Sequence, residues 1–320
     1  MFKELGPKIL LGTGRALAGC VLWIAIASGA HAQVPPSDQW LAQPVDDRTF
    51  AGYLQFLEYN PDVPFETHIL GQDTLNGIVV EHLTFQSTPG ERVTARLYHP
   101  EAAQSTGRAV VLLHGGTGQG KDSQWPRHVA TLLARAGWTA LAIDMKHFGE
   151  RDTGLLRTFT TQDKNEALYG PPSTYLAWVQ QTVKDVGRSL DFLVAERGLD
   201  GRRVALIGFS RGAVVGSIVG GADERFAMVA LIHGGHQSTN RTAPHLPAAC
   251  PANYIARINP RPLFMINAEV DAFFPKETSV IPLQRLVGEP SEFRWSTGRH
   301  GVLAEADYAV LLEWLRESVP

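Results

Sequence analysis

Cysteine is almost missing. The 320 residues contain two, Cys20 and Cys250, too few for a disulfide framework or a cysteine-based zinc site. An excess of one charge is missing too. The 29 basic and 32 acidic residues leave a formal net charge of −3, and no basic cluster is present that would gather nucleic acid. No segment recurs at a period of about 20–50 residues, which argues against a solenoid or propeller. No apolar run reaches the roughly 20 residues that stable membrane insertion by a helix requires. What is present is the composition of an ordinary globular chain, with 44% hydrophobic and 19% charged residues, 31 Gly and 20 Pro.

The first 32 residues read as a separate segment. Lys3, Lys8 and Arg15 precede an apolar stretch with its heart at Leu17 to Ala27, and small residues end at Ala30-His31-Ala32. This is the pattern of a secretory signal peptide cut after Ala32, so export to a periplasm or the exterior is expected. Leu17-Ala18-Gly19-Cys20 resembles a lipobox, but Arg15 inside its apolar region argues against an anchor at Cys20. A core helix here is disfavoured because Pro35-Pro36 breaks it from everything downstream. Residues 33–77 then read as an N-terminal extension and 78–320 as one main domain.

Periodicity and punctuation supply the elements. A helix is expected over Thr49–Tyr59, ended by Asn60-Pro61. Ile78–Gln86 and Arg92–Tyr98 are β-rich and separated by Thr88-Pro89-Gly90, which predicts an antiparallel hairpin. The short apolar runs Ala109–Leu113, Thr139–Ile143, Val204–Ile207, Met228–Ile232 and Leu263–Ile266 follow, with Phe293-Arg294-Trp295 as a last strand. Runs of this kind mark strands covered on both faces by helices. Helices are expected over Trp125–Ala136, Tyr175–Glu196, Arg211–Val219, Lys276–Leu286 and Ala304–Glu317. The fold class is α/β: a mostly parallel sheet with helices on both faces and an antiparallel N-terminal hairpin.

The chemistry gathers at strand ends. Val204–Ile207 runs into Gly208-Phe209-Ser210-Arg211-Gly212 and on into a helix, which is Gly-x-Ser-x-Gly in its strand–turn–helix context. The tight turn would hold Ser210 in a strained conformation, and glycine on either side removes Cβ atoms that would collide with backbone. A serine hydroxyl needs a base to take its proton. In chain order the partners are Asp271, with Glu269 in reserve, and His300 in the glycine-flanked loop Gly298-Arg299-His300-Gly301. His233, His236 and His245 compete for the role of base but precede the acid and read as pocket-lining or surface residues.

An acyl-transfer site also needs backbone donors for an oxyanion. His114-Gly115-Gly116-Thr117-Gly118 follows a strand, and the Gly116 amide is the expected donor, Thr117 the reserve, with the Arg211 amide as the second. His114 would orient this loop. Gly118-Gln119-Gly120-Lys121 lacks both the Gly-Lys-Ser/Thr ending and the Gly-x-Gly-x-x-Gly spacing of phosphate loops.

In this ordered set the sequence resembles the α/β-hydrolase superfamily, and within it the dienelactone-hydrolase-like and secreted serine esterase branch. The resemblance runs from about Glu81 to Trp314. It takes in His114-Gly115-Gly116, Asp144 with Phe148-Gly149-Glu150-Arg151, Gly208–Gly212, Pro260-Arg261-Pro262, Asp271 and His300. Dienelactone hydrolases carry cysteine where Ser210 stands, which puts that substrate in doubt; aspartate there would mark dehalogenases and epoxide hydrolases. Peptidases of the prolyl oligopeptidase type carry a large further domain. The resemblance implies hydrolysis of a small-molecule carboxylic ester through a Ser210–His300–Asp271 triad and an acyl-enzyme, with no metal or organic cofactor. Peptidase, acyltransferase and lyase chemistry on the same triad, or a silent binding protein, stay open.

Residues 151–172, between a strand end and a long helix, read either as cap material that sets specificity or as a plain surface connection. Trp125, Phe148, Phe273 and Phe274 read either as the lining of an apolar acyl pocket or, as aromatics near strand ends equally do, as core. The Arg211 guanidinium would either form a local salt bridge or favour acidic substrates. Asp144–Arg151 reads as an ion-pair and turn network.

Overall fold

The computed structural model describes residues 39–75, 77–236 and 246–318; the expected signal peptide, Cys20 and His245 lie outside them. The chain forms one nine-stranded sheet. Its strands are β1 (His68–Leu75), β2 (Ile78–Thr88), β3 (Glu91–His99), β4 (Arg108–Leu113), β5 (Trp138–Ile143), β6 (Val204–Phe209), β7 (Met228–Ile232), β8 (Leu263–Val270) and β9 (Ser291–Arg299). Across the sheet the order is β1-β2-β3-β5-β4-β6-β7-β8-β9. β1, β2, β3 and β5 pair antiparallel, and every pairing from β5 to β9 is parallel.

Both faces of the parallel part are covered, as its unbroken apolar runs require. Successive side chains of a strand point to opposite faces. Thus Val110 and Leu112 join one core and Val111 and Leu113 the other. The helices are α1 (Gln39–Ala42), α2 (Asp47–Gln55), α3 (Gln124–Arg135), α4 (Thr161–Lys164), α5 (Pro172–Ala195), α6 (Arg211–Ala222), α7 (Ile281–Gln284) and α8 (Glu305–Ser318). The first core contains Val129 and Leu133 of α3 and Leu311 and Leu315 of α8; the second contains Val186 and Leu193 of α5 and Val215 and Ile218 of α6. No helix among the described residues is long and apolar enough to cross a membrane.

Two differences from the sequence reading have local causes. β1 carries no sequence signal, because all but its last residue are exposed and His68–Leu75 shows no apolar alternation; its backbone pairing with β2 alone makes it a strand. The helix expected over Lys276–Leu286 is instead a π-helical turn, Lys276–Val280, followed by the short α7. Pro282 lies inside it, and proline removes a helix donor and crowds the preceding turn.

Candidate active site

The C-terminal ends of β4, β6, β7 and β8 deliver the chemistry to one rim. At the tip of β6, Ser210 has φ 53° and ψ −114°, a region that a residue with a Cβ adopts only when its surroundings enforce it. They do so here. The Ser210 amide donates to the Ile232 carbonyl of β7 at 2.8 Å, and α6 starts at the next residue. The flanking glycines are needed for space. A Cβ on Gly208 would sit 2.3 Å from the Gly212 carbonyl oxygen, and one on Gly212 would sit 2.5 Å from that of Leu113.

The structure brings the three expected side chains together. Ser210 Oγ lies 2.9 Å from His300 Nε2, and His300 Nδ1 lies 2.7 Å from Asp271 Oδ2. With Asp271 ionised, Nδ1 carries the proton and donates, which leaves Nε2 to accept from the serine hydroxyl. The other carboxylate oxygen, Oδ1, accepts from the Phe273 and Phe274 amides at 2.7 and 3.1 Å. Burial resists ionisation of Asp271, but the bond to His300, its charge and these two amides outweigh it and hold the carboxyl below its ordinary value. Glu269, the reserve acid, is exposed on β8 and makes no contact with His300.

The competing histidines have other partners. His233, at the end of β7, is fully buried with φ 49°. Its Nδ1 accepts from the Gly301 amide at 2.9 Å, so its Nε2 is the protonated nitrogen and donates to Ser296 Oγ of β9 at 3.2 Å. Burial, then the proximity of His300, press its pKa down to about 4, with Asp271 opposing. His233 is thus a neutral bracket between β7, β9 and the loop that carries His300. His236 is buried with Nδ1 3.8 Å from Cys250 Sγ.

On the other side of Ser210 lies the loop after β4. His114 Nε2 accepts from the Met145 amide at 3.0 Å, and Nδ1 donates to the Gly115 carbonyl at 2.6 Å. The imidazole ties the loop to the end of β5, and burial holds its pKa below the ordinary value. The Thr117 amide is committed to the Gly115 carbonyl at 2.8 Å, which removes the reserve oxyanion donor. The Gly116 amide has no acceptor among the described residues and lines the same cavity as Ser210. The Arg211 amide heads α6.

Gly118-Gln119-Gly120-Lys121 cradles an internal anion. Asp144 accepts from the Lys121 amide at 2.7 Å and from its Nζ at 2.8 Å, and the same Nζ reaches Glu150 at 2.7 Å. A Cβ on Gly120 or Gly149 would lie 2.0 or 2.1 Å from Asp144 Oδ1, and both glycines have positive φ. Arg151 adds ion pairs to Asp185 and Glu91. Asp144–Arg151 is therefore a structural network that pins the loops after β4 and β5 to each other.

A cavity of about 300 Å³ opens over Ser210. Phe273 and Phe274 line it beside His300, whereas Trp125 stacks on Phe209 at 4.6 Å and borders a neighbouring cavity of about 530 Å³. Phe148 belongs to neither: it is fully buried in the core, packed against Trp178 and Phe159. Of its two expected readings, pocket and core, Phe148 takes the core. Residues 151–172 do more than connect. They form α4 and a π-helical turn, Asn165–Tyr169, and Thr161, Lys164, Asn165 and Tyr169 make up one wall of the smaller cavity. The Arg211 guanidinium lies over the Tyr169 ring, its Cζ 3.8 Å from the centroid. The sequence marked both Lys164 and Tyr169 only as members of the 151–172 segment, since neither sits in a catalytic motif.

Comparison with known proteins agrees with this architecture. The profile of an alpha/beta hydrolase family matches residues 110–319, from β4 through the C-terminal helix. No curated protein matches the chain significantly in sequence. Among solved structures, acetyl xylan esterase 1 from Thermoanaerobacterium sp. JW/SL YS485 superposes with a TM-score of 0.67 at 12% identity, over 88% of this chain and 98% of that one. The acetyl xylan esterase from Paenibacillus sp. R4 gives 0.63 at 15% identity, covering 88% and 99%. A cold-adapted esterase from an Arctic intertidal metagenomic library gives 0.60 at 21% identity, covering 79% and 100%. At such identities the likeness speaks for the fold, and the profile match over most of the chain decides the family: this protein belongs to the alpha/beta hydrolases.

Proposed function

We propose that the protein is a serine ester hydrolase acting on small-molecule carboxylic esters, with Ser210, His300 and Asp271 as its triad. The observation that carries this reading is the unbroken hydrogen-bond chain from Ser210 Oγ through His300 to Asp271, at 2.9 and 2.7 Å. Structural neighbours named as esterases support it.

In the proposed reaction His300 Nε2 takes the hydroxyl proton as Ser210 Oγ attacks the ester carbonyl. The negative charge that develops on the carbonyl oxygen is met by the Gly116 and Arg211 amides, each worth about 100-fold or more in rate for a donor of this type. His300 then gives its proton to the leaving alcohol. Water repeats the sequence on the acyl-enzyme, and Asp271 holds the imidazole in the required tautomer throughout.

The test is Ser210→Ala. The wild-type protein is expected to react with a fluorophosphonate probe and to turn over p-nitrophenyl esters of some chain length. The variant is expected to do neither while keeping its circular dichroism and melting temperature. Turnover that survives the substitution removes the assignment. A product shift toward transesterified ester when an acceptor alcohol is added would mark the protein as a transferase on the same triad.

A further inference from the structure

The cavity over Ser210 holds a charge that the hydrolytic cycle does not use. Lys164, the last residue of α4, is half-buried, and its Nζ donates to the Gly116 carbonyl at 2.5 Å. An ammonium group has three donors, and a single carbonyl oxygen brings it no opposite charge. The carboxylates beside it hydrogen-bond elsewhere, and Asp163 acts on it through its charge alone. Asp163 Oδ2 accepts from the Arg157, Thr158 and Phe159 amides, each at 2.9 Å, and Glu166 accepts from Gln162 at 2.8 Å. Among the described residues no acidic side chain lines the cavity.

Arg211 brings a second cation to the same wall, stacked on Tyr169. Burial first, and then the charge of Arg211, hold the Lys164 pKa below its ordinary value, with the Asp163 charge opposing but outweighed. The folded protein thus sustains a half-buried ammonium group beside a like charge, next to the reactive serine. An arrangement of this kind is unfavourable when empty and is relieved by an anion. Thr161 and Asn165 line the cavity beside Lys164 and supply a hydroxyl and an amide suited to carboxylate oxygens.

We propose that this wall is an anion subsite and that the substrates are esters bearing a separate, ionised carboxylate, which Lys164 receives. The proposal rests on the serine-esterase reading above and narrows it to a substrate class. It also gives residues 151–172 a role, since they place Lys164 in the wall of the cavity that holds Ser210.

The experiment compares matched esters on the full-length protein and on Lys164→Gln. One pair is mono-p-nitrophenyl glutarate and p-nitrophenyl valerate, with the carboxylate on the acyl side. The other is 4-acetoxybenzoate and its methyl ester, with the carboxylate on the alcohol side. In at least one pair the charged ester is expected to be favoured about tenfold or more in kcat/KM, chiefly through KM. Lys164→Gln is expected to collapse that ratio by a similar factor. A ratio near one in both pairs for the wild type overturns the proposal. So does a ratio that Lys164→Gln leaves intact while both rates fall, since the lysine would then only brace the Gly116 loop. Glutarate binding to Ser210→Ala, followed by calorimetry, reads the subsite without turnover and should weaken about tenfold with Lys164→Gln. Absent glutarate binding sinks the subsite, whereas absent fluorophosphonate labelling of the wild type sinks the esterase reading.

Discussion

The Gly301 amide donates to Nδ1 of His233 at 2.9 Å, one peptide bond beyond His300. His233 thereby grips the loop that carries the proposed base, while its Nε2 holds Ser296 on the strand leading into that loop. The two imidazole rings lie 5.7 Å apart, so His233 acts on position and not on the proton transfer. A base displaced by about 1 Å loses up to about 100-fold in rate. His233→Leu is therefore expected to lower kcat by about 10–100-fold with KM little changed. His233→Asn keeps an acceptor near the Nδ1 position and tolerates the positive φ, and it should restore most of the rate. Equal losses in the two variants would show that the acceptor is irrelevant.

The same residue predicts an acid-dependent stability. Its folded pKa of about 4 lies below the ordinary 6.5, so between these values the unfolded chain binds a proton that the folded chain refuses. Stability from this group is complete above pH 6.5 and is lost as pH falls toward 4, by about 3 kcal/mol at most. Urea midpoints at pH 7 and pH 4.5 measure it. His233→Asn should shrink the wild-type drop between the two, leaving only what the other buried groups contribute. A drop of undiminished size would assign the acid sensitivity elsewhere.

Ser210 stores strain that glycine would release. A side chain at φ 53° and ψ −114° costs about 1–3 kcal/mol, and glycine returns roughly 0.5–1 kcal/mol of that as unfolded-state entropy. Ser210→Gly is thus expected to be inactive yet more stable than wild type by about 1 kcal/mol. Ser210→Ala keeps the Cβ and should melt with the wild type. Denaturant titration of the three proteins side by side decides it: a glycine variant no more stable than the alanine variant would mean that the turn is unstrained.

Much of the site was legible because its signals are local. A buried strand, a turn that tolerates no Cβ at Gly208 or Gly212 and a helix are consecutive in the chain, so Ser210 stands out before any contact is known. The donor loop is equally visible from its glycines, but not the choice between Gly116 and Thr117. That depends on the Thr117 amide curling back to Gly115. The choice of Asp271 over Glu269 likewise turns on a fold-back, in which the Phe273 and Phe274 amides return to the carboxylate. Phe148 defeats a sequence reading because an aromatic beside a strand end looks the same whether it faces a cavity or the core.

By itself the sequence determined the alternation of strands and helices, the serine turn and the strand-end loops that carry Asp271 and His300, since each follows from neighbours a few residues apart. Only the tertiary structure decided that Lys164 shares a cavity with Ser210, that His233 holds Gly301 and Ser296, and that Lys121 pairs with Asp144. Those pairings join side chains from separate loops. Their energies depend on burial and on ångström distances across the sheet's rim, which no local pattern along the chain encodes.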